Sequence, residues 1–216
     1  MAAIPMKPQY GPTLGRLLSP RWRAASPLVR WAVIASGVAL LGLAIAAALT
    51  LENAKFSHGG NVPFSFSYRG LYRTTPDPGG FVKVQRLDSE GRLEDSFAVG
   101  PLLLPRYTGE LSAELPLYAS GYIAGLERRD PQFVLDTEGK TKVNTVPAYT
   151  ISYTTVLDGR LMWGRNVLLL PERRGVREGV EIAMLMNPAT ERAITSPPEV
   201  ATHGILEQPL ETFTLG

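Results

Sequence analysis

The spacing of hydrophobic and polar positions changes character several times along this chain. From Trp31 to Leu51 the apolar run is unbroken by any charged residue. At about 1.5 Å of rise per residue, about 20 apolar residues match a hydrocarbon core of about 30 Å, so the run predicts one transmembrane helix. Beyond it the pattern turns to alternation. Phe64, Phe66 and Tyr68 interleave with Ser65 and Ser67, which predicts a half-buried strand over Val62 to Tyr68. The turn residues Pro76, Asp77, Pro78, Gly79 and Gly80 lead to a second alternating run, Phe81 to Leu87, and the two runs are expected to form a hairpin. Ser96 to Leu104, ended by Pro105, predicts a third strand.

Between Gly109 and Arg129 the apolar residues recur at three and four: Leu111, Leu115, Tyr118, Tyr122, Ile123 and Leu126. That spacing is helical. Pro116 falls within the first two turns, where it is tolerated, and Arg128 and Arg129 suit the negative end of the helix dipole. A short strand is predicted at Phe133 to Asp136. Ala148 to Leu157 and Arg160 to Leu170 flank Asp158-Gly159, a dipeptide that accepts the positive backbone angles of a tight hairpin. Gly179 to Met186 predicts one more strand, with Val180, Ile182 and Met184 on one face. Pro198 to Phe213 predicts a closing helix that packs through Val200, Ile205, Leu206 and Leu210. Such an order describes an α+β fold, a mostly antiparallel sheet covered by helices.

Five segments carry a family likeness: "VPFSFSYRGLY", "GGFVKVQRL", "FAVGPLLLP", "VPAYTISYTTVLDGRLMWGRNVLLL" and "PLETFTLG". In order and texture they resemble the Mog1/PsbP-like domain over residues 61–215. The chain departs from that pattern at Arg69-Gly70-Leu71, where the family often has Pro-Gly-Trp. The resemblance implies an α/β/α sandwich and a non-enzymatic role as a binding module or an extrinsic factor of a membrane protein complex.

Charge orients the chain. Lys7, Arg16, Arg21, Arg23 and Arg30 precede the span and Glu52 is the first acid, so the tail carries +5 and the remainder −3. Positive charge resists translocation. The expected organisation is a cytoplasmic Pro-rich basic tail at 1–30, disordered for want of apolar periodicity; a transmembrane helix at 31–51; a spacer at 52–61; and an extracytoplasmic domain at 62–216. The location implied is the plasma membrane, single-pass, with the lipid bilayer contacted through 31–51. Ala44, Ala46 and Ala48 have the spacing of a cleavable signal, but the long leader and long apolar run favour a retained anchor. Nucleic acid is not an expected partner, because the folded part lacks a basic excess. The absence of Cys excludes disulfides, a thiolate zinc site, a Cys nucleophile and a lipidated Cys.

No catalytic constellation stands out. His58 and His203 are the only imidazoles, neither with a metal-ligand neighbour, and no Gly-x-Ser-x-Gly elbow occurs. Asp88, Glu90, Glu94 and Asp95, interrupted by Arg92, read as a solvated loop, with a hard cation as the alternative. We expect no catalytic, cofactor or metal residues. The candidate partner-binding residues are Arg173, Arg174 and Arg177, in a loop suited to an acidic partner, and Trp163. Gly42 and Ala46, and Ala35 and Ala39, are small residues four apart that would let another helix approach. The expected function is a membrane-anchored, non-catalytic accessory protein that binds a membrane-protein partner. The alternative is a small-ligand or lipid-binding module with an apolar pocket near Trp163 or Tyr149.

Overall fold

A computed structural model describes residues 26–50, 53–105, 111–170 and 177–216, without the side chains of 44–50, 111 and 112. The basic tail at 1–25, Leu51, Glu52 and the Arg-rich segment 171–176 lie outside the described residues. The chain divides into two compact units, Met1–Leu49 and Thr50–Gly216.

Helix α1, Pro27–Thr50, coincides with the predicted apolar run. Its described large side chains, among them Leu28, Trp31, Ile34, Val38, Leu41 and Leu43, are exposed. At 100° per residue they fall on every side of the helix, so no polar face is left. Over the described residues, no helix is long and apolar enough to cross a membrane.

The second unit is built on a seven-stranded antiparallel sheet in the order β3-β4-β5-β9-β8-β7-β6. Its strands are β3 (Arg73–Thr75), β4 (Val82–Leu87), β5 (Leu93–Leu103), β6 (Val134–Val143), β7 (Val146–Leu157), β8 (Arg160–Leu169) and β9 (Glu178–Met186). After β5 the chain crosses through α2, Leu111–Arg129, to the far edge and returns strand by strand until β9 lies beside β5. The β7–β8 hairpin turns where expected, with Asp158 at φ 51° and Gly159 at φ 73°.

Period-two alternation sends each strand's residues to two cores. On one face α2 lays Leu115, Ala119 and Ile123 against Ile151, Leu168 and Leu102. The expected second helical layer is a sheet instead: β1 (Asn53–His58), β2 (Phe64–Arg69) and β10 (Thr214–Leu215) pair in the order β1-β2-β10. Phe64 and Phe66 of β2 meet Phe97, Val99, Val167, Ile182 and Phe213 there. The α/β/α sandwich is therefore replaced by helix, sheet and sheet, with short C-terminal turns completing the last layer.

Several expectations change with it. Residues 53–58 are not a spacer but a strand in register with β2, Phe56 opposite Phe66. The Val62–Tyr68 and Phe81–Leu87 runs do not pair with each other: β2 joins β1 and β10, and β4 pairs with β3 and β5. β6 extends well past the four residues predicted, since an edge strand tolerates Thr, Glu and Lys on both sides. The closing helix is broken into a 3₁₀ turn, Pro197–Glu199, and a single helical turn, α3, Glu207–Glu211. Ala201 and Gly204 between them take left-handed φ values of 61° and 79°, which no continuous right-handed helix contains.

Candidate functional site

Of the predicted binding residues, the two that are described, Arg177 and Trp163, stand apart. Arg173 and Arg174 lie outside the described residues. Arg177 is tied back to its own chain: its Nε and Nη2 donate to the Leu104 carbonyl at 3.0 and 2.7 Å, extending the β5–β9 ladder. Trp163 is half-buried, packed on the aromatic core. Its register partner Met186 is nine residues along β9 from Arg177, about 30 Å at about 3.3 Å per residue. The neighbouring arginines are likewise engaged. Arg160 Nη1 meets Asp88 at 2.9 Å, and Arg165 reaches the Val200 carbonyl at 2.9 Å and Thr150 Oγ1 at 3.1 Å.

The acidic loop is held by backbone N–H groups and arginines, with Asp95 Oδ1 buried and without a hydrogen bond among the described residues. Asp88 accepts from the backbone N–H groups of Arg92 and Glu90 at 2.9 Å and from Arg92 Nε at 3.0 Å. These bonds, the Arg92 amide first, hold its carboxyl down at about 2. Arg86 bridges Glu94 at 2.6 Å and the buried Asp95 at 2.5 Å. Among the described residues no cluster of three metal-ligating side chains occurs.

Two further features went unread in the sequence. The first is an open hollow of about 350 Å³. β1 delivers His58, the turn before β4 delivers Phe81, β5 delivers Pro101, Leu102 and Leu103, and the start of β9 delivers Glu178 and Gly179. The β5–β9 register sets Leu102 opposite Gly179 and Leu103 opposite Glu178, which opens one corner beside the strands. The His58 ring stacks on Phe64 with centroids 5.0 Å apart and lies 4.4 Å from Phe81, so it forms a wall of the hollow. An apolar floor with one imidazole and one carboxylate at its edge suits an apolar ligand or side chain bearing a single polar end. Neither Trp163 nor Tyr149 lines it. The alternation of Phe56 and His58 with Lys55 and Ser57 was the available signal, hidden by the adjoining Gly59-Gly60.

The second is a polar network under α2. Tyr122 of α2 donates to Glu181 of β9, Asn166 of β8 donates to the Tyr122 hydroxyl at 2.6 Å and to Glu181 Oε1 at 3.4 Å, and Tyr153 of β7 donates to Asn166 Oδ1 at 3.3 Å. Burial pushes the Glu181 carboxyl above its ordinary range, against the opposing pull of the Tyr122 hydroxyl and Arg129. Burial and then the Glu181 charge push the Tyr122 hydroxyl far upward. With every member bonded, the network positions α2 on the sheet; its donors and acceptors face one another rather than a cavity.

No family model matches the chain, and no curated protein does. Solved structures with a related course include LpqN of Mycobacterium tuberculosis, a protein involved in cell envelope biogenesis, at 10% identity and a TM-score of 0.49, covering 76% of this chain and 91% of that one. Cyanobacterial PsbP (CyanoP) of Synechocystis is similar at 11% identity and a TM-score of 0.49, over 77% of this chain and 94% of the other. A Pseudomonas aeruginosa protein of unknown function, described as a putative regulator, shares 16% identity at a TM-score of 0.36 over 61% and 72%. Superpositions at this level carry no argument about family, ligand or partner.

Proposed function

We propose that the chain is a single-pass, non-catalytic accessory protein of the plasma membrane, its tail cytoplasmic and its Thr50–Gly216 unit extracytoplasmic, where that unit binds another membrane protein. The observation that carries this reading is α1: 24 residues, about 36 Å at about 1.5 Å each, with exposed apolar side chains on every side and no charge from Trp31 onward. In water such a helix would need apolar cover around its whole circumference, and lipid supplies it. Four cations before α1, Arg30 in its first turn and all acids after it favour the stated orientation. The likeness in sequence to the Mog1/PsbP-like domain favours binding over catalysis.

The test is alkaline extraction of membranes followed by protease added to intact cells. The chain is expected to stay with the bilayer and to lose its folded unit to external protease; recovery in the soluble wash, or full protection, overturns the reading. Gentle solubilisation is then expected to bring down a membrane-protein partner in fixed proportion.

The hollow at His58 and Phe81 favours a second reading, an apolar-ligand module, since its volume sits at the lower end of the about 300–1,000 Å³ of ligand pockets. Native mass spectrometry of the chain released from nanodiscs is expected to show a bound small molecule that Leu103→Trp, at an exposed position lining the hollow, displaces. A bare mass in the unaltered chain removes this reading.

A further inference from the structure

β6 is the long edge of the seven-stranded sheet. Val134–Val143 pairs with β7 on one side, and among the described residues no strand pairs with the other. The opposite edge, β3, offers only three residues. A row of unpaired N–H and C=O groups ten residues long is a template for a further strand, and edge strands ordinarily carry charges that repel one. Here the order of the charges does the reverse. Asp136-Thr137-Glu138-Gly139-Lys140-Thr141-Lys142 places acids on one side of Gly139 and bases on the other at mirrored spacing.

We propose that two copies of this chain pair through β6, antiparallel and centred on Gly139, so that the sheet runs on from one copy into the other. In that register Glu138 of each copy faces Lys140 of its mate, Thr137 faces Thr141, and Asp136 approaches Lys142. Opposite charges and Thr–Thr pairs directly across strands stabilise a sheet, and like charges destabilise it. The alternatives are worse. A slip of two residues sets Lys140 against Lys140 or Glu138 against Glu138, and a parallel pairing in register opposes every like charge. Glu138 and Lys140 are both exposed and lie on the α2 side of β6, opposite Ile151 and Tyr149 of β7, so they are available to the mate on one common face. A bulge between Leu135 and Thr137 displaces Asp136, which leaves the inner Glu138–Lys140 pairs to fix the register. The pairing is a property of the folded unit and does not depend on the membrane reading.

The chain contains no Cys, so one introduced thiol reports register directly. A Cβ at Gly139 would meet nothing within 4 Å. In the full-length chain, Gly139→Cys is expected to give a disulfide-linked dimer on mild oxidation, because residues directly opposite lie about 4.5–5.5 Å apart. Thr137→Cys, about 13 Å from its counterpart, is expected to give none. Independently, Glu138→Lys is expected to weaken self-association roughly tenfold by sedimentation, and adding Lys140→Glu is expected to restore it. A strictly monomeric chain at every concentration reached, cross-linking at position 137 in place of 139, or an unchanged association in Glu138→Lys overturns the proposal.

Discussion

The two faces of the seven-stranded sheet are closed by different means. One receives the aromatic side of β2, where Phe64, Phe66, Phe97 and Phe213 lie with ring centroids 4.9 to 6.5 Å apart, and the buried Asp95, two residues before Phe97, is held by Arg86 at the end of that face. The other receives α2, whose apolar stripe shares the surface with Tyr122, Tyr153, Asn166 and Glu181. At the centre of the aromatic face the rings pack by area and shape, whereas the network under α2 adds direction to the placement of the helix. The aromatic centre is therefore expected to contribute mainly through burial, and the network under α2 through where it holds the helix.

Truncation in the aromatic face is expected to have the largest effect. Phe97 is fully buried, its ring 4.9 Å from that of Phe66, so Phe97→Ala leaves a cavity between the two sheets. We expect a loss of about 3–5 kcal/mol in urea unfolding. A loss no larger than that of an exposed substitution would erase the contrast between the faces. Next is a change of shape under α2. Gly164 of β8 lies beneath the Tyr153 ring, and a Cβ there would come within 2.2 Å of it. Gly164→Ala is expected to cost about 1–3 kcal/mol, and a double variant with Tyr153→Ala to cost less than the two single changes together, since the clash is then removed. Strict additivity in the cycle would show that the ring moves aside freely.

Much of the architecture was legible from periodicity and the rest was not, for a physical reason. α2 and β4 bury one stripe or face, and β5, β7, β8 and β9 pack apolar residues on both, so burial writes a helical period, an alternation or a continuous apolar run into the sequence. The Asp158-Gly159 turn was equally local. Partner choice is not local: Phe64 and Phe66 need an apolar surface to cover, and the alternation in Val62–Tyr68 says nothing about which strand lies beside it. β6 was underestimated because a free edge is polar on both sides. The C-terminal segment has helix-like spacing at Val200, Leu206 and Leu210, yet buried Pro197 and Pro209 and the left-handed Ala201 and Gly204 divide it. The site was less legible than the fold. Of the arginines that counting singled out, Arg177 is bonded within the chain and Arg173 and Arg174 lie outside the described residues, while His58 and Glu181 gain their surroundings only through contacts between distant strands.

The polar network offers finer tests. Tyr122→Phe removes the hydroxyl that bonds both Glu181 and Asn166. Leaving those buried groups short of a partner is expected to cost about 1–3 kcal/mol, with the far-ultraviolet spectrum of α2 unchanged. An effect within a few tenths of a kcal/mol would mean that water replaces the hydroxyl without penalty.

The smallest effect carries the clearest sign. Burial raises the folded-state pKa of Glu181 above that of the unfolded chain, about 4.3. Protons are then held more tightly by the folded form, so the contribution of Glu181 to stability is fully present below about pH 4 and is lost as pH rises through the raised value. Asp88 acts in the opposite sense and in a lower window: held at about 2, it supports the fold above its ordinary range and loses that support as pH falls. The two are thus separable in one titration of urea midpoints. Glu181→Gln keeps an acceptor for Tyr122 and Asn166 and removes the charge, so it is expected to flatten the decline on the alkaline side of pH 4 while leaving the acid limb intact. If the slope persists in Glu181→Gln, the carboxyl is not strained by its burial, and the network beneath α2 acts through its hydrogen bonds and not through its charge.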